Sequence, residues 1–234
     1  MKCGVDTMRS NEIKRPKFSC SVISGNPATF FENIKILESL GIDSFHFDMM
    51  DGDFVPRYGL YPEMIQAIRE VSNLPIDVHM MLRKPELVSD ALIDIGASSI
   101  TSHIEPVEHV HRFLSTLQAK GCKVGLALNP GTPIYSLEPV IENLDSITVM
   151  AINPGIVGHK FIESTYSKID SVRKLVESCG KVVEIIVDGG VVFDNAKQIY
   201  EAGADTIVCG AGTVFAPGGF VVDNVEKLMG VFRS

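Results

Sequence analysis

From about residue 18 onward the chain alternates short runs rich in Val and Ile with longer amphipathic segments, and it does so eight times. The runs cover residues 18–23, 44–49, 76–81, 98–102, 123–128, 146–150, 182–187 and 206–208. Near-continuous apolar runs of this length suit strands buried on both faces of a parallel sheet. Between them lie segments such as 30–40, 62–71, 86–95, 110–120 and 169–178, whose apolar residues recur at helical spacing. Gly41, Gly96, Gly121, Gly180 and Gly203 follow helix-like stretches, where a left-handed residue often ends the helix. Parallel neighbours need a crossover, and a helix supplies it. Eight such units without a long linker predict an α/β fold, a single (β/α)₈ TIM barrel. An open doubly wound sheet competes, but no GxGxxG follows the first run.

Composition narrows the partners. The 234 residues are 45% hydrophobic and 21% charged, enough apolar material for one large core. A formal charge of −8 argues against a broad surface for nucleic acid or acidic membrane. It also means that local donors must hold any anionic substrate. The five cysteines show no CxxC spacing, so neither a disulfide framework nor a zinc knuckle is indicated. Cys20, Cys122 and Cys209 fall at or beside apolar runs, where a free thiol acts as a small hydrophobe. A reducing, cytoplasmic setting is expected. Residues 1–16 read as a polar leader without a signal peptide's apolar stretch, and 17–234 as the catalytic barrel; no segment is apolar and long enough to span a membrane.

Function in a barrel gathers at the C-terminal ends of its strands. The second run continues as His46-Phe47-Asp48-Met49-Met50-Asp51-Gly52, and alternation puts His46, Asp48 and Met50 on one face, the lumen. The third opens Ile76-Asp77-Val78-His79, again with two polar residues two apart, and the seventh leads into Asp188-Gly189-Gly190. His46, Asp48, His79 and Asp188 could therefore converge from three strands, a donor set suited to Zn²⁺, Fe²⁺, Mn²⁺ or Co²⁺ with positions left open. Either histidine alone reads as a hydrogen-bonded core residue. An Asp in an apolar strand is costly unless paired or metal-bound, and two beside two histidines favour the metal. Asp51, Asp53 and Asp77 read as supporting or loop-forming residues, and Met50 and Met81 as apolar lining.

Three glycine-containing loops follow the last three runs: Asn153-Pro154-Gly155-Ile156-Val157-Gly158-His159, Asp188-Gly189-Gly190 and Gly210-Ala211-Gly212. One alone would read as a turn. Three on neighbouring strands suggest a phosphate cradle of backbone N–H groups.

The stretch His46-Phe47-Asp48-Met49-Met50-Asp51-Gly52-Asp53-Phe54-Val55-Pro56 resembles the HxDxMDGxFVP signature of the ribulose-phosphate 3-epimerase family. Further matches follow in order at Asp77-Val78-His79-Met80-Met81, His103-Ile104-Glu105, Asn129-Pro130-Gly131-Thr132-Pro133, Val149-Met150, Asn153-Pro154-Gly155 and Val187-Asp188-Gly189-Gly190. The resemblance implies one divalent cation (Zn, Fe(II), Mn, Co or Mg) held by His46, Asp48, His79 and Asp188. It makes Asp48 and Asp188 the acid/base pair and has Ser21 and His79 touch substrate. Gly155, Ile156, Val157, Gly158, Gly189, Gly190, Gly210, Ala211 and Gly212 would then hold phosphate. His103 and Glu105 read either as pocket lining or as the end of the fourth strand, with the structural role favoured, and Arg57, His159 and Lys160 equally as phosphate-side charges or solvated loop residues.

The implied activity is an isomerase of the pentose phosphate pathway, a homo-oligomer interconverting D-ribulose 5-phosphate and D-xylulose 5-phosphate through a metal-stabilised enediolate. Two opposed carboxylates are needed because one base would return the C3 proton to the face it came from. Cys20, Arg57 and His159 stand where the family usually has Pro, Asn and Gln. The loop Gly210-Ala211-Gly212-Thr213-Val214-Phe215 is one residue longer than usual, more like the D-allulose 6-phosphate 3-epimerase branch, whose product is D-fructose 6-phosphate. A non-catalytic sugar-phosphate-binding barrel is another alternative, and intact His46, Asp48, His79 and Asp188 count against it; a metal-free phosphate barrel lyase or synthase is a further one, but it leaves those histidines unexplained.

Overall fold

The eight apolar runs pair edge to edge in chain order in the computed structural model, which describes residues 15–156 and 158–233. They form β1 (Lys17–Ser21), β2 (Ser44–Met50), β3 (Ile76–Met81), β4 (Ser99–His103), β5 (Lys123–Leu128), β6 (Ser146–Met150), β7 (Glu184–Asp188) and β8 (Thr206–Cys209). Every pairing is parallel, and β8 returns to β1, so the sheet closes into a barrel without an unpaired edge.

Around it lie α1 (Phe30–Ser39), α2 (Glu63–Arg69), α3 (Ser89–Asp94), α4 (Val110–Gln118), α5 (Thr165–Cys179), α6 (Phe193–Glu201) and α7 (Val221–Gly230). All five glycines expected at helix ends adopt positive φ. The crossover from β5 to β6 is a 3₁₀ stretch, Ile134–Asn143. Pro139 removes a backbone donor inside it, and Leu137 and Val140, three apart, share the buried side that a three-residue turn presents.

Several boundaries differ from the sequence reading; α5, for one, starts at Thr165, four residues ahead of the expected segment 169–178. The run at 18–23 stops as a strand at Ser21 and turns through the 3₁₀ segment Val22–Ser24. The helix expected over 86–95 is broken at Val88 (φ −121°), which separates the 3₁₀ turn Pro85–Leu87, with Leu87 74% exposed, from α3. β7 begins at Glu184 rather than 182, since Val182 is 93% exposed. Residues 1–14, most of the expected leader, and Val157 lie outside the described residues. Arg15 is tied to the barrel by Nη1, 2.7 Å from Asp43 Oδ2.

Outward-facing Phe45, Phe47, Val78 and Met80 are buried in one core with Ile65, Ile68 and Leu92 of the surrounding helices. Each fully buried side chain of this kind contributes about 1.5–3 kcal/mol. The alternate residues of the same strands face the lumen. Register then decides which meet: His46 lies opposite Asp77 and Asp48 opposite His79 across β2–β3, and Met150 lies opposite Asp188 across β6–β7.

Candidate active site

Four side chains from three strands converge at the lumen's mouth. His46 Nε2 lies 3.3 Å from Asp48 Oδ1, 3.6 Å from Asp188 Oδ2 and 3.2 Å from His79 Nδ1. His79 Nδ1 lies 3.3 Å from Asp48 Oδ1 and 3.4 Å from Asp188 Oδ2. The four atoms all fall within 4.8 Å of one another, so this cluster could hold a metal ion. Donors about 2.1 Å from a tetrahedral ion would sit roughly 3.4 Å apart, the scale of these separations. A hydrogen-bonded cluster would instead favour shorter, directed pairs.

The surrounding partners aim the ligand atoms. His46 Nδ1 is 3.2 Å from Asp77 Oδ2, while Asp77 Oδ1 accepts from Ser99 Oγ at 2.8 Å and Thr101 Oγ1 at 3.1 Å. Ser21 Oγ donates to Asp48 Oδ2 at 2.7 Å, leaving Oδ1 toward the histidines. Asp77 thus has the supporting place expected from the sequence. Asp51 is a loop former: its carboxylate accepts from the N–H groups of Asp53, Phe54 and Arg83.

Charge concentrates here. Burial disfavours the His46 imidazolium, but Asp48's charge and the carboxylates of Asp188 and Asp77 outweigh it and raise the imidazole well above its ordinary range. Burial likewise opposes a proton on His79, and Asp188 and Asp48 again prevail. Burial pushes the Asp48 carboxyl up, yet the charge of His46 and contacts with both histidines hold it far below the usual range. The same balance holds Asp188 at about 2. These carboxylates demand positive charge, which protons or a bound cation can supply.

A cavity of about 620 Å³ opens onto Asp48 and Asp188. Ser21, Gly155, Ile156, Gly158, Gly189, Gly190, Gly210, Ala211 and Gly212 all line it, as do Arg57, His159 and Lys160. Buried His46 and His79 stand behind its wall. Among the described residues, the N–H groups of Gly190, Ala211 and Gly212 have no protein acceptor. Gly190 has φ +66°, and a Cβ there would sit 2.8 Å from the backbone of Phe161. At Gly212 a Cβ would come 2.3 Å from Val191 O. These loops are therefore packed too closely for a side chain, leaving backbone donors beside the cavity.

Asn195 escaped the sequence reading. Its Oδ1 accepts from Val192 N–H at 2.8 Å, and its Nδ2 donates to Gly190 O at 3.0 Å. It pins the glycine loop to the start of α6. Its position just after Asp188-Gly189-Gly190, in the first turn of a helix, was the available signal. Met150 of β6 also lines the cavity, alongside the expected Met50 and Met81.

The sequence matches the family model described as "Ribulose-phosphate 3 epimerase family" over residues 17–215. It is 38% identical over 218 residues to "Ribulose-5-phosphate-3-epimerase, chloroplastic" of Arabidopsis thaliana, covering 92% of this chain and 76% of that protein. Identity to the Bacillus subtilis (strain 168) "Ribulose-phosphate 3-epimerase" is 38% over 196 residues, 83% of this chain and 90% of the relative. Among solved structures, that titled "Crystal Structure of 3-Hexulose-6-Phosphate Synthase" superposes with a TM-score of 0.70 at 14% identity, over 92% of this chain and 99% of the other. At that identity the likeness speaks for the barrel alone. The strand-borne His and Asp residues, the glycine loops and the match across most of the sequence place this chain in the ribulose-phosphate 3-epimerase family.

Proposed function

We propose that the chain is an isomerase that inverts C3 of D-ribulose 5-phosphate to give D-xylulose 5-phosphate, and the reverse. The observation that carries this reading is the approach of Asp48 and Asp188, from non-neighbouring strands, to the same pair of histidines at one cavity. His46, Asp48, His79 and Asp188 would hold one divalent cation. When bound, that cation supplies Lewis-acid stabilisation of the negative charge that develops beside the reacting carbon.

The chain's own residues do the rest. One of the pair, entering as the carboxylate, takes the C3 proton from one face, while the other, entering as the neutral acid, gives its proton to the opposite face. Because the reaction runs both ways, Asp48 and Asp188 exchange roles with direction. Ser21 fixes the orientation of Asp48 through its 2.7 Å hydrogen bond. The backbone donors of Gly190, Ala211 and Gly212, with Gly155, Ile156, Gly158, Gly189 and Gly210 around them, bind the phosphate and hold the sugar in place. Arg57 and Lys160 offset the unfavourable net charge at that end, where His159 also lines the cavity.

The catalytic barrel is assigned to 17–234. A cytoplasmic location fits the buried free thiols of Cys20, Cys122 and Cys209. Among the described residues no helix is long and apolar enough to cross a membrane. Self-association would cover exposed Tyr58, Tyr61 and Leu87, and sedimentation velocity tests it.

The deciding experiment follows C3 hydrogen exchange by NMR in D₂O with metal-loaded protein and ribulose 5-phosphate, then allulose 6-phosphate. Exchange with xylulose 5-phosphate formation is expected on the first sugar. Preference for the second would move the assignment to the six-carbon substrate, to which the longer 210–215 loop points. Exchange on neither would overturn the epimerase reading.

A further inference from the structure

Two motifs remain unused by this mechanism, His103-Ile104-Glu105 and Asn129-Pro130-Gly131-Thr132-Pro133. The structure joins them. His79 Nδ1 faces the donor cluster, and its other nitrogen, Nε2, lies 3.0 Å from His103 Nε2. His103 Nδ1 lies 3.1 Å from Glu105 Oε2. Glu105 Oε1 accepts from Asn129 N–H at 2.9 Å and from the Thr132 hydroxyl. The loop carrying those donors is clamped by Lys168 of α5, whose Nζ donates to the carbonyls of Asn129 at 2.6 Å, Pro130 at 3.2 Å and Thr132 at 2.7 Å. His79 and His103 are fully buried and stacked, ring planes 21° apart.

This chain of contacts has a direction. Glu105 is a carboxylate with acceptor atoms only, so His103 must carry a proton on Nδ1 to meet it. His103 then offers a bare Nε2, which can only accept. His79 must answer with a proton on Nε2, so Nδ1 is the nitrogen whose lone pair faces the donor cluster once a cation displaces any proton held there. A metal ion requires that lone pair.

We propose that His103 and Glu105, anchored by Asn129 and Thr132, are positioning residues that fix the His79 tautomer and so set the metal affinity of the site. The inference rests on the metal-centre reading above and adds a determinant outside the ligand set. Glu105→Gln probes it without removing the loop anchor. The Asn129 N–H and Thr132 hydroxyl keep the amide oxygen at the Oε1 place, so the amide NH₂ faces His103 Nδ1. That reverses the chain: His103 must accept at Nδ1 and carry its proton on Nε2, against the Nε2 proton that metal-bound His79 needs.

The test combines Zn²⁺ affinity, by competition with a chelator, and ¹⁵N NMR of histidine-labelled protein, with the full chain. In Zn²⁺-loaded wild type, His103 is expected to carry its proton on Nδ1 and His79 on Nε2. Glu105→Gln is expected to weaken Zn²⁺ binding by roughly 10–100-fold, with little change in metal-free melting temperature. A merely structural Glu105 would leave affinity within about twofold, because the loop hydrogen bonds persist, and that result overturns the proposal. A proton on His103 Nε2 in loaded wild type also overturns it, even if the variant does not fold. Wild type that binds no Zn²⁺ would remove the metal-centre reading and this inference together, whereas binding with an unchanged variant removes only the inference.

Discussion

The two halves of the cavity are built from different materials. Around β2, β3, β4 and β7, buried side chains are linked through to loop backbone: His46 to Asp77, Asp77 to Ser99 and Thr101, His79 to His103, and His103 to Glu105. Around the ends of β7 and β8 the working groups are backbone N–H groups of Gly190, Ala211 and Gly212, which have no protein acceptor among the described residues. The ionisable side chains of the first half are paired with one another; the N–H groups of the second are not, and the charge beside them comes from Arg57 and Lys160 on the cavity wall. Proton transfer needs groups held to fractions of an ångström, and strand-borne side chains with locked partners provide that. Holding a phosphate needs donors without self-partners, and tightly packed glycine loops provide that instead. A substitution in one half should therefore leave the other half's function standing.

The largest separation is expected from Asp188→Asn. Losing one of two opposed carboxylates should lower kcat for C3 exchange by roughly 10²–10⁴-fold while changing KM little, read by NMR in D₂O. The opposite pattern is expected from Gly190→Ala, whose methyl would meet the Phe161 backbone at a positive φ. KM for the sugar phosphate should rise roughly 10–100-fold, with Zn²⁺ affinity unchanged. Equal losses in kcat and metal affinity would erase the distinction between the halves.

A third prediction separates them by pH. The His46 and His79 imidazoles are raised above their ordinary range in the protein alone, so below those raised values each holds a proton that a cation must displace. Zn²⁺ affinity should fall as pH drops, by up to about tenfold per pH unit for each proton displaced, and Zn²⁺ addition should release protons measurable with an indicator dye. Inorganic phosphate binding at the glycine loops should not follow that slope. The smallest effect belongs to Arg57→Gln. Removing one charge at the cavity wall should raise KM by roughly two- to fivefold, an effect that added salt would diminish in wild type.

Most of the fold was legible because doubly buried parallel strands leave long Val- and Ile-rich runs, and alternation in β2 and β3 already put His46 with Asp48 and Asp77 with His79 on common faces. Boundaries failed where exposure overruled hydropathy, as at Val182. The role of Asn195 escaped because its partners, Val192 N–H and Gly190 O, are backbone atoms that carry no residue signature. His103 and Glu105 read as strand-end residues because nothing local ties a position on β4 to a ligand atom on β3.

By itself, then, the sequence determined the eight-unit alternation, the polar pairs two residues apart and the glycines after the last strands, since each follows from local periodicity or backbone sterics. Only the tertiary structure decided which atoms meet. Closing the barrel sets the register that puts Asp48 beside His79, brings Asp188 from β7 to the same pair and aligns His79, His103 and Glu105 into one directed chain. Those encounters depend on strand stagger and on side-chain nitrogens facing particular partners, and neither is encoded within any single segment.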